Sequence, residues 1–411
     1  MKKVILHCDL NCFFASVEML YHPEFKNVPM AIGGDRENRH GIILAKNVLA
    51  KKAGVKTAST INEALQACPK LIIRDPDYDS YEYFSQKVRN IYYEYTDLVE
   101  PFGIDECWLD ITSSISYFGS VEKIVNDLLF RVKNELGLTL SIGISFNKIY
   151  AKLGSDLASE DDCYYVNSLE QIEYMSADKL LGIGYKTYEY LKTYGIFTIG
   201  DIARKPLSYM HGILGKAGDT LYYYATGTLQ DDVQKYFKAD DIAKSIGNSM
   251  TSTRDLYDLD DIKCILTIIC DSVSRRVKEA NMYFKTIHLT TRTKKLEIKT
   301  MQVSLKENSD LGKDIFDNAL KLFEQNCDFK IPYRSIGVSV SNLSFQKESI
   351  QMNLFENSSY SIKQRKKEQA IIDIRKRFGD NAVSSLRLLE DSNLSHYCPS
   401  QNNSLTITYK R

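Results

Sequence analysis

Three carboxylates stand in segments whose other residues argue for burial. Asp9 lies in Val4-Ile5-Leu6-His7-Cys8-Asp9-Leu10-Asn11-Cys12-Phe13-Phe14. The pair Asp105-Glu106 lies in Phe102-Gly103-Ile104-Asp105-Glu106-Cys107-Trp108-Leu109-Asp110. Both runs are apolar and strand-like, and an unpaired charge inside such a run is costly to bury. Three carboxylates brought together from such strands can hold two Mg²⁺ ions, the arrangement that serves phosphoryl and nucleotidyl transfer. The two segments by themselves leave a second reading open, in which these are ordinary strand-end acids facing solvent.

The elements that must position these acids are legible in outline. Residues 1–10 and 77–166 mix strand patterns with helical runs such as Tyr81–Tyr95 and Val121–Leu136, an α+β pattern. Residues 11–76 form a small insertion rich in Lys and Gly. From 167 to 232 the pattern is helical and contains Leu180-Leu181-Gly182-Ile183-Gly184-Tyr185-Lys186-Thr187. This looks like a helix-hairpin-helix turn, whose glycines permit a tight bend and expose backbone N–H groups to a phosphate. A plain αα-corner would carry the same glycines. Residues 233–244 read as a polar linker. Beyond it, Ile246–Ser252, Ile262–Lys278, Tyr283–Arg292, Leu296–Leu305, Leu311–Asn326 and Tyr333–Leu343 alternate β-α-β-β-α-β, a split sandwich with a sheet free to face a ligand. Residues 346–411 form a tail.

At 411 residues the chain should divide into two or more domains. No apolar run approaches the length that spans a bilayer, and the N-terminus enters a strand pattern without a small-residue cleavage site, which argues against secretion. Nine cysteines without a Cys-x-x-Cys pair suggest reduced thiols. Lys+Arg and Asp+Glu both total 53, whereas nucleic-acid binders usually carry a basic excess. Charge is instead regional. Between Arg275 and Lys306 nine basic residues face only Glu279 and Glu297, so the strand pair Tyr283–Arg292 and Leu296–Leu305 could lay Arg292, Lys294 and Lys295 along phosphates. A solvated charged face is the other reading of that stretch.

Cys8-Asp9-Leu10-Asn11-Cys12-Phe13-Phe14-Ala15-Ser16-Val17-Glu18 resembles the opening motif of the Y-family (DinB/UmuC-type) translesion DNA polymerases. Gly103-Ile104-Asp105-Glu106-Cys107-Trp108-Leu109-Asp110-Ile111 resembles their second metal motif, which more often begins with Ser. Ser141-Ile142-Gly143-Ile144-Ser145-Phe146-Asn147-Lys148-Ile149-Tyr150-Ala151-Lys152 resembles the third. The likeness runs to about residue 390 and is that of Gram-positive bacterial members. It implies a right-hand α+β fold of several domains: palm (1–10 and 77–166), small fingers (11–76), helix-hairpin-helix thumb (167–232), βαββαβ little finger (245–345) and a clamp-binding tail (346–411). Gly33-Gly34-Asp35 resembles a nucleotide-cyclase signature, but it precedes no Glu-Phe. A non-catalytic paralogue that only binds DNA would be marked by loss of the acids, and all three are present.

The resemblance implies a template-directed, low-fidelity polymerase that adds dNTPs to a primer 3′ end in the bacterial cytoplasm, as a monomer with no membrane. Asp9 and Asp105 would bridge two Mg²⁺ ions (Mn²⁺ able to substitute), with Glu106 at the primer-side ion and the Leu10 carbonyl as a further ligand. Phe13, Phe14, Lys51 and Lys152 would contact the nucleotide. Phe14 is the expected steric gate against a 2′-hydroxyl, with Phe13 sent to the opposite face by strand alternation. Ile42 would roof the templating base; Gly182, Gly184 and Lys186 would meet DNA phosphate. Lys148 is expected near phosphate or solvent, and Asp110 in a structural place. Relatives carry Tyr and Arg where this chain has Val48 and Lys51, so its grip on the triphosphate should be weaker or supplied by Lys46 or Lys52. Gln351, Leu354 and Phe355 in Gln351-Met352-Asn353-Leu354-Phe355 resemble the peptide that docks on the sliding clamp.

Overall fold

The computed structural model describes residues 3–34, 41–229, 231–235, 243–328, 330–345, 358–379, 382–389, 394 and 407–408. It forms two compact units, Met1–Gly34 with Ile42–Lys238, and Asp35–Gly41 with Ala239–Arg411. The first unit begins with β1 (Ile5–Leu10), α1 (Phe13–Tyr21), β2 (Met30–Gly33), β3 (Ile43–Lys46), α2 (Val48–Lys52), α3 (Ile61–Ala67) and β4 (Ile72–Arg74). It continues with α4 (Tyr78–Tyr93), β5 (Val99–Pro101), β6 (Glu106–Asp110), α5 (Ile115–Phe118), α6 (Val121–Leu136), β7 (Leu140–Ser145), α7 (Lys148–Leu157) and β8 (Asp162–Tyr165). Four helices follow: α8 (Tyr185–Lys192), α9 (Ile199–Arg204), α10 (Leu207–Leu214) and α11 (Lys216–Thr226).

The principal sheet of this unit has the order β5-β6-β1-β7-β8, with β1 antiparallel to both neighbours. Successive strand residues point to opposite faces. Leu6, Cys8 and Leu10 therefore join a core with α1, α4 and α6, while Ile5 packs with Trp108 and Ala151 of α7. His7 and Asp9 share that second face. The covering helix α6 forms where the sequence predicts it: the Ser120 side chain accepts from the Lys123 N–H at 3.2 Å, and Gly137, at φ 69°, closes its last turn. Helix α4 starts at Tyr78, ahead of the predicted Tyr81, because Asp77 caps it by accepting from the Ser80 N–H at 3.3 Å.

Strands β2, β3 and β4 make a separate sheet, in the order β3-β2-β4, backed by α2 and α3. Helices α8 to α11 share a core with Ile149, Tyr150 and Leu153 of α7, so α7 joins the sheet to the helical part. The predicted linker begins later than residue 233. Val233 is buried, and the Gln234 N–H donates to Glu100 at 2.7 Å, which ties this stretch to the first unit.

The second unit contains β9 (Ser245–Leu256), α12 (Leu259–Glu279), β10 (Phe284–Thr293), β11 (Ile298–Ser309), α13 (Gly312–Asn326), β12 (Tyr333–Ser341), α14 (Ser358–Phe378) and β13 (Ile407–Thr408). The β-α-β-β-α-β order is the one read from the sequence. Strand β11 begins at Ile298 rather than Leu296 because Leu296 takes the left-handed turn conformation at φ 69°. The sheet order is β11-β10-β12-β9-β13. Ile287, Leu289, Ile336, Val338 and Val340 form its core with α12 and α13. Among the described residues, no helix is long and apolar enough to cross a membrane.

Candidate active site

The two acidic motifs are stitched together by backbone. Asp9 pairs across strands with Glu106, and the Leu10 N–H donates to the Asp105 carbonyl at 3.1 Å. Asp105 stands just before β6, in a turn where Gly103 adopts φ +104°. A side chain is strained at that angle, which suits glycine at this turn.

The third motif supplies α7, and glycine decides how close it comes. A Cβ on Gly143 of β7 would lie 1.8 Å from the Ala151 carbonyl oxygen and 2.3 Å from the Ser155 nitrogen. Gly154 on the helix is the other half of this contact, since its Cβ would lie 2.9 Å from the Gly143 Cα. The Asn147 side chain starts the helix by accepting from the Tyr150 N–H at 2.7 Å. Held this close, α7 brings Lys152 Nζ to 2.7 Å from Glu106 Oε2 and the Ser155 hydroxyl to 2.7 Å from His7 Nδ1.

Electrostatics follow from crowding. Burial, together with the charges of Glu106 and Asp105, pushes the Asp9 carboxyl up to about 7. Burial and Glu106 push Asp105 up to about 6. Burial would raise Glu106 too, but the nearby His7 imidazole, 3.3 Å away, and the Lys152 charge hold it below the ordinary value. Among the described residues, no three acidic, histidine or cysteine side chains stand close enough together to hold a metal ion as they are oriented; Glu106 is turned onto Lys152. The donor set nevertheless fits a divalent cation. Its members are hard oxygens crowded at one end of a sheet, and their mutual repulsion is what such an ion relieves.

Beside the acids, Phe13 and Phe14 begin α1 instead of continuing β1, because Cys12 turns the chain at φ 50°. The expected separation by strand alternation is thus replaced by the angular step of a helix. Phe13 is only 3% exposed and lies in the sheet core, so its ring offers no open surface to a nucleotide. Phe14 is partly exposed and stacks on Tyr81 with ring centroids 4.2 Å apart. Tyr81 is in turn fixed by donating to the buried Glu18 at 2.9 Å. Val48 and Lys51 are exposed on α2, Lys46 donates to Thr57 at 2.8 Å, and Ile42 bridges to Thr60 with 44% exposure.

Residues 8–156 match the impB/mucB/samB family, and residues 243–354 match the C-terminal domain of the same family. A DNA polymerase IV of Acetivibrio thermocellus is 38% identical over 398 residues, covering 96% of this chain and 100% of the relative. The DNA polymerase IV of Alkaliphilus oremlandii is 33% identical over 399 residues, covering 95% of this chain and 100% of the relative. This chain is a member of that family, the DinB-type Y-family polymerases. A Y-family DNA polymerase chimera of Dbh and Dpo4 superimposes with a TM-score of 0.72 at 23% identity, covering 84% of this chain and 100% of that chain, which shows the fold. A Dbh ternary complex does so at 0.58.

Several basic residues of this Y-family chain have partners within the protein. Lys148 is 5% exposed, so it does not stand in solvent, and it pairs with Glu100 at 3.0 Å and Asp231 at 2.7 Å. Asp110 has the expected structural place, accepting from the Thr112 N–H at 3.0 Å. The basic stretch is divided. Arg276 donates to the Gly247 carbonyl at 2.8 Å, Lys278 pairs with Glu368 at 2.6 Å, and Lys294 with Asp255 at 3.2 Å, while Lys295 is exposed. The sheet face away from the helices is hydroxyl-rich instead. Ser339 stands between Gly247 and His288, Gly337 between Ser249 and Thr290, and Ser335 between Thr251 and Arg292. In the helical part, Gly182 takes φ +91°, and Gly184 caps the helix that carries the exposed Lys186. Gln351, Leu354 and Phe355 lie outside the described residues.

His7, Ser155 and Tyr81 were not singled out from sequence, although two of them carried a signal. His7 precedes Asp9 by two, the spacing of one strand face, and Ser155 follows Lys152 by three, the spacing of one helix face.

Proposed function

We propose that Asp9, Asp105 and Glu106 form the catalytic centre of a template-directed translesion DNA polymerase acting in the bacterial cytoplasm as a monomer. The observation that carries this reading is the bond from the Leu10 N–H to the Asp105 carbonyl, which sets Asp9 beside the Asp105-Glu106 pair. Two divalent ions, Mg²⁺ with Mn²⁺ able to substitute, would lower the pKa of the primer hydroxyl and neutralise the triphosphate and leaving pyrophosphate. Asp9 and Asp105 would hold both, Glu106 the one at the primer, and the Leu10 carbonyl would add an oxygen.

The remaining residues bind and select. Lys152 is the cation offered to the triphosphate, and its pairing with Glu106 supports that place. Phe13 contributes through its backbone N–H at the start of α1, a helix with no side-chain cap and no acid in its first turn. Phe14, braced on Tyr81, excludes a 2′-hydroxyl, and Ile42 roofs the templating base. Lys51 meets the triphosphate as a point charge, while Val48 offers no hydrogen bond. The sparse contacts of these small fingers leave discrimination near what pairing and stacking supply, which suits damaged templates.

DNA is gripped with little net charge. Gly182, Gly184 and Lys186 present amides and one cation to phosphate. On the little finger, serine and threonine hydroxyls and glycine backbone beside Arg292, with Lys294 and Lys295 at the hairpin, can position a phosphate backbone without a basic excess. Gln351, Leu354 and Phe355 dock a sliding clamp, which raises local concentration at the primer end. Primer extension on intact and abasic-site templates with Mg²⁺ and dNTPs tests the reading. Extension that vanishes in Asp105→Ala/Glu106→Ala is the expected result, and extension retained by that variant would refute it.

A further inference from the structure

His7 is wholly buried, on the strand face that carries Asp9. Its cross-strand neighbours are Trp108 on β6 and Gly143 on β7. Trp108 meets the imidazole edge-on at 5.3 Å, and Gly143, lacking a side chain, lets α7 reach the ring. Nδ1 lies 2.7 Å from Ser155 Oγ, and Nε2 lies 3.3 Å from Glu106 Oε2. Nε2 is sealed from solvent and completes no hydrogen bond while Glu106 is turned onto Lys152.

The hydrogens can be counted. The Ser155 hydroxyl has one hydrogen and two acceptors in reach, His7 Nδ1 at 2.7 Å and the Lys152 carbonyl at 2.8 Å. If it goes to Lys152, the ring hydrogen sits on Nδ1, and Nε2 turns a lone pair on a carboxylate in a dry site, which is repulsive. If it goes to Nδ1, the ring hydrogen sits on Nε2 and is donated to Glu106. A doubly protonated ring also donates from Nε2. The Lys152 carbonyl loses nothing, because it lies inside α7, where the helical ladder serves it.

We propose that His7 is a positioning residue of the catalytic centre: Ser155 fixes its Nε2–H form, and that N–H holds the Glu106 carboxylate when Lys152 turns to the nucleotide triphosphate. This rests on the polymerase reading of the three carboxylates. Without His7, a Glu106 released by Lys152 keeps no side-chain donor among the described residues to aim it, and aiming a metal-binding carboxylate tunes its affinity.

Two measurements on the full chain test the proposal. Nitrogen-15 NMR of histidine-labelled protein, with the His7 signal identified by its loss in His7→Gln, should show hydrogen on Nε2; a ring protonated on Nδ1 alone overturns the proposal. Mn²⁺ binding to the protein–primer–template complex, followed by electron paramagnetic resonance, should weaken about 10- to 100-fold in His7→Phe, which keeps the ring but not the donor. The metal concentration for half-maximal extension should rise by the same factor. Ser155→Ala should shift both in the same direction by less, and His7→Gln, which restores an N–H, should lie near wild type. Wild-type Mn²⁺ affinity in folded His7→Phe overturns the proposal; if that variant does not fold, wild-type affinity in Ser155→Ala does so. Wild-type affinity in Glu106→Ala would instead refute the carboxylate site itself, so the two failures are distinguishable.

Discussion

Gly143→Ala tests whether the close approach of α7 to the sheet is what places the cation and the hydroxyl at the acids. The added methyl would sit 1.8 Å from the Ala151 carbonyl oxygen, and contacts of this kind essentially never fall below 3.0 Å. The difference obliges α7 to move by about 1.2 Å, a large displacement in a close-packed interior. Both 2.7 Å contacts made from this helix, Lys152 to Glu106 and Ser155 to His7, would stretch beyond hydrogen-bonding range. Overpacking of this kind costs about 3 kcal/mol, at the upper end of such losses. A misplacement of about 1 Å at reacting groups can lower a rate by about 10²-fold. Urea denaturation reads the first quantity and single-turnover nucleotide incorporation the second. Gly212→Ala is the control. It sits in α10 with nothing within 4 Å of the added Cβ, so alanine there should stabilise the protein by about 0.5–1 kcal/mol. Gly143→Ala with a stability loss below about 0.5 kcal/mol and an unchanged rate would refute the reasoning.

Phe14→Ala should raise ribonucleotide incorporation relative to deoxynucleotide by about 10²-fold, measured as the ratio of kcat/KM values; an unchanged ratio removes Phe14 from the gate. Val48→Tyr with Lys51→Arg should lower the KM for dNTP by about tenfold, since a planar fork and a hydroxyl replace a point charge and a methyl surface. Lys148→Met leaves Glu100 and Asp231 without their shared cation, so it should destabilise by about 2 kcal/mol, discounted for the partial exposure of both acids. The salt dependence of DNA binding should not change in that variant, whereas loss of a phosphate-contacting lysine would lower its slope by about one. Leu354→Ala with Phe355→Ala should abolish stimulation by the sliding clamp and spare basal extension; equal stimulation of the double variant would count against the clamp peptide.

Much of the second unit was legible because its elements change period. Two-residue alternation in Tyr283–Arg292 and helical spacing in Leu311–Asn326 identify type without knowledge of neighbours. Boundaries were less so. Leu296 has the composition of a strand residue but sits at positive φ, and nothing in its side chain announces that. Phe13 and Phe14 look like a continuation of β1, yet Cys12 turns the chain and makes them the start of a helix. The fate of charges was the least legible. Lys148 and Lys152 are four residues apart on one helix, and one is buried between Glu100 and Asp231 while the other faces Glu106. Helical spacing gives both the same face and cannot say which acid each will meet.

The amino-acid sequence by itself determined which residue types are available for chemistry and where the chain changes from strand to helix, because motif spacing and hydrophobic period are properties of neighbours along the backbone. Only the tertiary structure decided that β1 lies between β6 and β7, that glycines 143 and 154 let α7 touch the sheet, and that His7 and Ser155 stand behind Glu106. Those relations join residues as much as 148 positions apart. The free energy of such a contact depends on what opposes it across the packed interior, and no local pattern records that.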